Sequence, residues 1–476
     1  MKGKNKTKKQ KAHLIGICGA GMSALAVLLR EFGWKITGSD SNCYEPIAGY
    51  LEKNKIFFAK TYKAKNIPRN VNLIVIGKHA DLTRKNNEEV RRAFDSGIEI
   101  KSLPETLAIL SKNKRNLVIA GSFGKSTCAA LVAWCLSKAG KNPSYFIGAV
   151  LIDFNKSSHL GRGKDFVLEG DEYPSANWDN TSKFLHLNPF GVLLISAEHD
   201  HINIFPTEKS YKKPYKKLVA KIPKNGLLVY SHEAKNIGEI AKYAKCKSVG
   251  YSLNNKRSNW HAQNIKYGIT TSFDLTHGGR KVVNIKTKLL GNHNIENIVG
   301  SGAFLLENKT ITPQDFARAV ATFHGIKRRI ELLTKNSVIP IYEGFGSSYE
   351  KARVVFDTLK LHFPKKRIVA VFEPHTFSWR NRGALKWYKN IFNDVAEVIL
   401  LPPPSHGKNT HNQLTFNEIY NEVKKYTGVY KAHTEKEALA TLKRIIKKGD
   451  ILALVSSGSL LGLSKSVPRL LHKSNL

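Results

Sequence analysis

The stretch NLVIAGSFGKST (116–127) restricts the fold more than any other part of the chain. NLVIA is short, largely apolar and partly β-branched, as a buried parallel strand is. Beyond the loop, Cys128, Leu131, Val132, Cys135, Leu136 and Ala139 fall on one helical face, and Gly140 stands where a C-cap ends a helix. Strand, glycine-rich turn and helix in that order aim backbone N–H groups and the positive end of a helix dipole at one point. There Lys125 adds a charge and Ser126 an oxygen suited to Mg²⁺. The match to G-x-x-x-x-G-K-[ST] is partial, because Ile119 occupies the first glycine position. An ordinary βα turn with a solvated lysine is the simpler alternative; the flanking strand and helix favour a nucleotide loop.

At 476 residues the chain is too long for one core and fits about three domains of ~100–200 residues. Its five cysteines (18, 43, 128, 135, 246) are odd in number and show no C-x-x-C or Cys/His ligand spacing. They point to neither a disulfide framework nor a zinc site, and a reducing cytoplasm is the expected setting. The first twelve residues hold six lysines before an apolar stretch, yet Gly16, Gly19 and Gly21 break that stretch, so a signal peptide is rejected. Residues 1–12 are expected to be a disordered basic tail, and no segment suits membrane insertion. The formal charge of +39 raises the question of nucleic acid, with EKSYKKPYKKLVAKIPK (208–224) as the candidate patch. Lysines are spread throughout without a recognised nucleic-acid motif, so solvated faces are the better reading and no specific nucleic acid is expected.

Three α/β regions follow one another. In the first, HLIGICGAG opens a strand and turn, Met22, Leu25, Leu28, Leu29 and Phe32 make a helical stripe, and KITGSD ends at Asp40. Asp40 lies about twenty residues past the glycines, where a dinucleotide-type fold places an acid near a ribose. NLIVIG and IEIKS read as further strands, and the polar SKNKRN (111–116) as a linker. In the second region, FVLEGD ends with Glu169, Asp171 and Glu172 nearby, and GVLLISAEHDHINIF ends in Glu198, Asp200 and His201. Acids and imidazole at the ends of adjacent strands near a phosphate loop suit metal ligation. Further on, Asn294 and Asn297 share a helix face. The third region alternates VIPIYEGF, RIVAVFEP, EVILLPP and ILALVSS with helical segments.

Taken together, GICGAGM with GSD, G-[ST]-x-G-K-[ST], E-x-D-E, D-H, H-N-x-x-N and the R-R of GIKRRIE, in this order, resemble the Mur ligase family, ATP-dependent amide-forming enzymes of peptidoglycan precursor metabolism. The resemblance implies an α/β fold of three consecutive domains: Rossmann-like (13–112), P-loop ATPase-like (113–325) and a second Rossmann-like domain (326–476). It implies ATP and Mg²⁺ as cofactors and UDP-N-acetylmuramate with an amino acid or short peptide as substrates of a monomer. One branch of the family adds L-alanine; another re-attaches the recycled tripeptide L-Ala-γ-D-Glu-meso-diaminopimelate. GIC, DEY, the inserted WDNTSKF and DHINIF resemble the second branch.

By the same resemblance Gly121, Ser122, Gly124, Lys125, Ser126 and Thr127 form the phosphate loop. Ser126, Glu169 and His201 would lie at metal ions, with Lys125, Glu169 and His201 catalytic. Asn294, Asn297, Arg329 and Glu343 would face ATP. Gly19, Ala20, Gly21, Met22, Ser39 and Asp40 would face the UDP moiety, and His375, Arg380 and Arg382 the carboxylates of a peptide. The chain departs from the family at EGFGSSY (343–349), where Gly344 replaces an aspartate, and at Ser196, which replaces an asparagine. A bulge at Gly344 or Gly346 is expected to turn Glu343 into the vacated role, with Gly344→Asp raising activity. A non-enzymatic basic binding protein on this scaffold is the alternative from another class.

Overall fold

The computed structural model describes residues 10–473, apart from 44–46, 202–203, 335–337 and 405–411. Among them are three sheets, each mostly parallel, as the alternation of apolar runs and amphipathic segments requires. The first has strands β1 (Lys11–Ile15), β2 (Lys35–Ser39), β3 (Leu73–Ile76) and β4 (Glu99–Lys101) in the order β2-β1-β3-β4. Because β1 begins at Lys11, the expected tail is cut short; residues 1–9 lie outside those described.

The second sheet contains β5 (Arg115–Ala120), β6 (Ser144–Phe146), β7 (Ser158–His159), β8 (Asp165–Gly170), β9 (Pro189–Leu194), β10 (Leu227–Ser231), β11 (Lys247–Tyr251), β12 (Trp260–Lys266), β13 (Thr271–His277) and β14 (Arg280–Thr287). Their order is β14-β13-β12-β11-β10-β9-β5-β8-β6-β7. Since β5 starts at Arg115, the expected linker 111–116 is shorter than its polar composition suggests. β5 is parallel to both β8 and β9, with Ala120 opposite Gly170 on one side and Leu194 on the other. The C-terminal ends of three central strands therefore open side by side, the place where open α/β sheets bind ligands.

The third sheet contains β15 (Arg329–Leu332), β16 (Ile341–Gly344), β17 (Ile368–Phe372), β18 (Glu397–Leu400), β19 (Gly428–Lys431) and β20 (Ile451–Val455), ordered β15-β16-β20-β17-β18-β19. Its two faces are covered by separate apolar clusters, one around Phe356, Trp379 and Tyr388, the other around Leu442, Leu460 and Val467. The helix expected over ALKWYKNIF is a single turn, Leu385–Tyr388.

Two compact units emerge. One comprises residues 1–263, 274–285 and 296–323, and so holds the first sheet and the core of the second; the other comprises 264–273, 286–295 and 324–476.

One expectation fails outright. Cys18 and Cys43 are joined in a disulfide, with Cα atoms 5.4 Å apart. β1 and β2 are parallel neighbours with Ile15 opposite Ser39, so the segments leaving their ends emerge together. A cysteine count carries no trace of that pairing.

Candidate active site

The loop after β5 turns through Gly121 and Gly124 into helix Lys125–Lys138. Gly124 has φ +79°, and a Cβ there would stand 2.8 Å from Asn297 Oδ1. Only glycine satisfies both demands. Ser196, just past β9, accepts the N–H groups of Ser122 (2.9 Å) and Phe123 (3.0 Å) on its Oγ. Ser122 Oγ in turn donates to the Glu198 carbonyl (2.7 Å). The loop is thus clasped by the strand beside it, and the residue that departs from the family pattern supplies the clasp.

Lys125 Nζ donates to the Gly121 carbonyl (2.6 Å) and to Glu172 Oε2 (2.8 Å). Ser126 Oγ donates to Glu169 Oε1 (2.8 Å), whose other oxygen accepts from Gly148 N (2.6 Å). Thr127 is buried in the first helical turn. His201, held at φ +56°, meets Tyr173 Oη through Nδ1 (2.9 Å) and lies 3.3 Å from Glu172 Oε1 through Nε2. No group of three or more His, Cys, Asp or Glu side chains among the described residues forms a cation site. Ser126 and Glu169 still fit Mg²⁺, which takes hard oxygen donors, keeps several waters and shares phosphate oxygens rather than demanding a protein cage.

Asn294 and Asn297 sit on helix Asn292–Glu307. Asn297 packs on the loop at Gly124, with Cys128 Sγ 3.3 Å from its Oδ1. The Asn294 amide donates to the Leu290 carbonyl (2.8 Å) and is buried.

At the end of the first sheet, Gly19 precedes helix Ala20–Glu31, which begins with Ala20, Gly21 and Met22. Ser39 and Asp40 are buried rather than open to solvent. Ser39 Oγ donates to Glu89 Oε1 (2.9 Å), and Asp40 accepts from Cys18 N (2.8 Å), Asn42 N (3.1 Å) and Tyr62 Oη (3.1 Å). Asp40 therefore shapes the glycine turn through its own chain.

In the third sheet Glu343 is buried on β16, 3.0 Å from Arg328 Nε. The register shift expected on this strand lies instead on β15, between Arg329 and Glu331, where Arg328 and Ile330 have φ +64° and +56°. A Cβ on Gly344 would stand 2.4 Å from Val355 Cγ2, so this position faces the packed core and has no room for aspartate. Arg329 is exposed, its guanidinium 5.8 Å from the Phe345 ring centre. His375 Nδ1 lies 3.3 Å from the buried Glu373. Arg380, expected to be open for a peptide carboxylate, is buried and donates to Gln413 Oε1 (3.2 Å) and to the Thr376 and Pro404 carbonyls (both 3.4 Å). Arg382 is half exposed and pairs with Glu418 at 2.9 Å.

These sites can be set beside known proteins. Residues 11–115 match the Mur ligase family, catalytic domain, and residues 119–305 the Mur ligase middle domain. A UDP-N-acetylmuramate–L-alanyl-γ-D-glutamyl-meso-2,6-diaminoheptandioate ligase of Escherichia coli (strain K12) is 30% identical over 396 residues, 82% of this chain and 84% of that one. The chain belongs to the Mur ligase family. Its activity is that of the family, an ATP-dependent amide ligase. A UDP-N-acetylmuramate–L-alanine ligase of Dictyoglomus turgidum is 29% identical over 460 residues, covering 94% of each chain. The fold of this Mur ligase is like that of the UDP-N-acetylmuramate–alanine ligase of Thermotoga maritima, with a TM-score of 0.77 at 21% identity, over 98% of this chain and 100% of that one.

Three residues around the phosphate loop of this Mur ligase, and one at its third sheet, escape a sequence reading of roles. Glu172 and Tyr173 belong to the visible DEY motif, but only the structure shows them gripping Lys125 and His201. Ser196 reads as a lost asparagine until its Oγ is seen on the loop amides. Arg328 cannot be chosen over Arg329 in an R-R pair unless the positive φ at Arg328 is known. Of the DHINIF segment, Ile202 and Asn203 lie outside the described residues.

Proposed function

We propose that this Mur ligase joins the lactyl carboxylate of UDP-N-acetylmuramate to the recycled tripeptide L-Ala-γ-D-Glu-meso-diaminopimelate. The observation that carries this reading is the built loop after β8. Pro174 and Ser182 bridge its two arms, Lys183 Nζ pairs with Asp171 (2.6 Å), and Asn177 donates to the carbonyls of His79 (2.7 Å) and Leu82 (2.9 Å). The loop contains WDNTSKF (178–184), the segment in which this chain resembles the peptide-adding branch. A specific fact favours the second reading, L-alanine as the amine: the alanine-adding relative aligns over nearly the whole of both chains.

A carboxylate is a poor acylating agent. Its oxygen attacks the γ-phosphorus of ATP, the bond to ADP breaks, and an acyl phosphate results. The peptide amine then forms the C–N bond, loses its proton, and phosphate leaves with the C–O electron pair. Such chemistry needs positioning and charge neutralisation more than a protein nucleophile. Lys125 and the amides at the start of the helix, Lys125 to Thr127, hold the β- and γ-phosphates on a loop whose Ser122 and Phe123 amides are taken by Ser196. Asn294 and Asn297 serve the adenine and ribose, and Arg329 the γ-phosphate. The Gly19–Met22 turn, shaped by Ser39 and Asp40, takes the UDP moiety. His201 orients the reacting carboxylate, and His375 and Arg382 meet peptide carboxylates. Mg²⁺ at Ser126 and Glu169 supplies further neutralisation of phosphoryl oxygens when bound. The enzyme acts as a monomer.

Incubation with ATP, Mg²⁺ and UDP-N-acetylmuramate, with either tripeptide or L-alanine, tests the reading through phosphate release and product mass. Turnover with L-alanine alone replaces the proposal with the second reading. No turnover, together with salt-resistant nucleic-acid binding, replaces both with a basic binding protein.

A further inference from the structure

Helix Glu208–Ala220 enters the sequence as a lysine-rich stretch, and its outer face is just that. Its inner face carries Tyr211, Pro214, Tyr215, Leu218 and Val219, all buried, at one helical stripe. Tyr211 and Tyr215, four residues apart, bring their hydroxyls to 3.2 Å. Tyr211 Oη meets Ser122 Oγ at 2.8 Å, and Tyr215 Oη donates to Glu172 Oε2 at 3.4 Å. Glu172, 1% exposed, also accepts from Lys125, and Lys125 returns to the loop at the Gly121 carbonyl. Because Ser122 donates to the Glu198 carbonyl, Tyr211 donates to Ser122, and the single Tyr215 proton is shared between Tyr211 Oη and Glu172 Oε2. Ser122, Tyr211, Tyr215, Glu172 and Lys125 thus form a chain of polar contacts around one end of the phosphate loop.

This arrangement has a chemical consequence. A carboxylate this deeply buried is tolerated because it is paired and hydrogen-bonded. A phosphate that takes Lys125 must therefore compete with Glu172. The tyrosines stay protonated donors throughout: burial pushes Tyr211 up to about 12 and Tyr215 well above its ordinary range. When the ammonium shifts toward a phosphate, Tyr215 and His201 remain on Glu172.

We propose that Glu172, held by Tyr215 and Tyr211, is a positioning residue for Lys125, trading nucleotide affinity for a lysine fixed in place during phosphoryl transfer. This rests on Lys125 being the phosphate-binding lysine. A positioning role separates from a merely structural one because it moves affinity and turnover in opposite directions.

The test uses the full chain, with ATP dissociation constants from calorimetry and kcat from phosphate release. Glu172→Gln removes the competing charge: the ATP Kd is expected to fall threefold or more while kcat falls about tenfold or more, as loss of precise placement does. Tyr215→Phe keeps the Glu172 charge but removes one of its donors, so the ammonium is held more tightly. The ATP Kd is then expected to rise about twofold or more, opposite to Glu172→Gln, and this variant decides the matter alone if Glu172→Gln does not fold. Weaker or unchanged ATP binding in Glu172→Gln, or an ATP Kd unchanged or lowered in Tyr215→Phe, overturns the proposal. Lys125→Ala is the control: wild-type ATP binding and turnover in that variant would defeat the phosphate-lysine reading itself, independently of Glu172.

Discussion

Arg328 Nε stands 3.0 Å from Glu343 Oε1, and the same guanidinium donates to the carbonyls of Ser456 (3.1 Å) and Gly458 (2.6 Å). One side chain thus ties β16 to the segment leaving β20. Arg328→Ala leaves a buried carboxylate without its cation and strands the carbonyls of Ser456, Ser457 and Gly458. A loss of about 2–4 kcal/mol is expected, near the range for breaking a buried pair. Glu343→Gln should cost less in the Arg328→Ala background than alone. Thermal unfolding of the four proteins of that cycle gives the coupling, and a coupling near zero would show that the pair is incidental.

Gly344→Asp reverses the expectation drawn from the family pattern. With 2.4 Å between a built Cβ and Val355 Cγ2, any side chain overpacks the helix against the strand. Gly344→Ala alone should cost about 1–3 kcal/mol, and aspartate more, because its charge is buried as well. Thermal midpoints and kcat/KM for ATP check this; a stable Gly344→Asp protein with improved kcat/KM would contradict it.

The contrast between these two positions shows what sequence carries. Strand β5, its loop and the existence of the following helix were legible because local signals agree: an apolar run, glycines, then a helical segment. The single apolar face expected for that helix is not what forms, since every residue from Thr127 to Leu136 is buried. Lys125, Ser126, Glu169 and His201 stand out in the sequence as motif residues in order; Lys125 and Ser126 open the helix that follows β5, and Glu169 lies on β8, its neighbour in the sheet. What failed depends on direction across long range. Gly344 differs from an aspartate position by which way one Cβ points, and Arg380 from a ligand by which carbonyls surround it. The lysine-rich helix hid Tyr211 and Tyr215 because charge counts say nothing of the opposite face.

The cysteines offer a simple count. Unfolding without reductant should expose three thiols, Cys128, Cys135 and Cys246, and reduction should raise the count to five. In the folded protein Cys128 and Cys135 should resist alkylation, since burial raises both thiols, Cys128 to about 12. Five thiols titrating without reductant would show Cys18 and Cys43 unbonded.

Removing the phosphate-loop charge should hurt the chemical step directly. Lys125→Ala is expected to lower kcat/KM by about 10²-fold or more, the scale of one lost transition-state contact. Glu169→Gln, beside the Ser126 hydroxyl, should instead raise the Mg²⁺ concentration needed for half-maximal rate. Initial rates across an Mg²⁺ series distinguish the two; equal Mg²⁺ dependence in wild type and Glu169→Gln would remove Glu169 from the metal site.

Asp171 and Lys183 set the acid limit of the loop after β8. Burial pushes the Asp171 carboxyl up, but Lys183, with the Tyr173 N–H, pulls it net below its ordinary value. A carboxyl whose folded pKa lies under its unfolded value of about 3.9 binds fewer protons in the native state. Its contribution to stability is therefore complete above pH ~4 and disappears as pH falls through the folded value. Lys183→Met removes the pull and leaves the burial, so Asp171 should titrate at higher pH than in the wild type. The stability gap between the two proteins should close on acidification. Carbon-13 NMR of the Asp171 carboxyl gives the first quantity and denaturant unfolding between pH 7 and 3 the second. An Asp171 midpoint unmoved by Lys183→Met would mean that the 2.6 Å pair does not hold the loop.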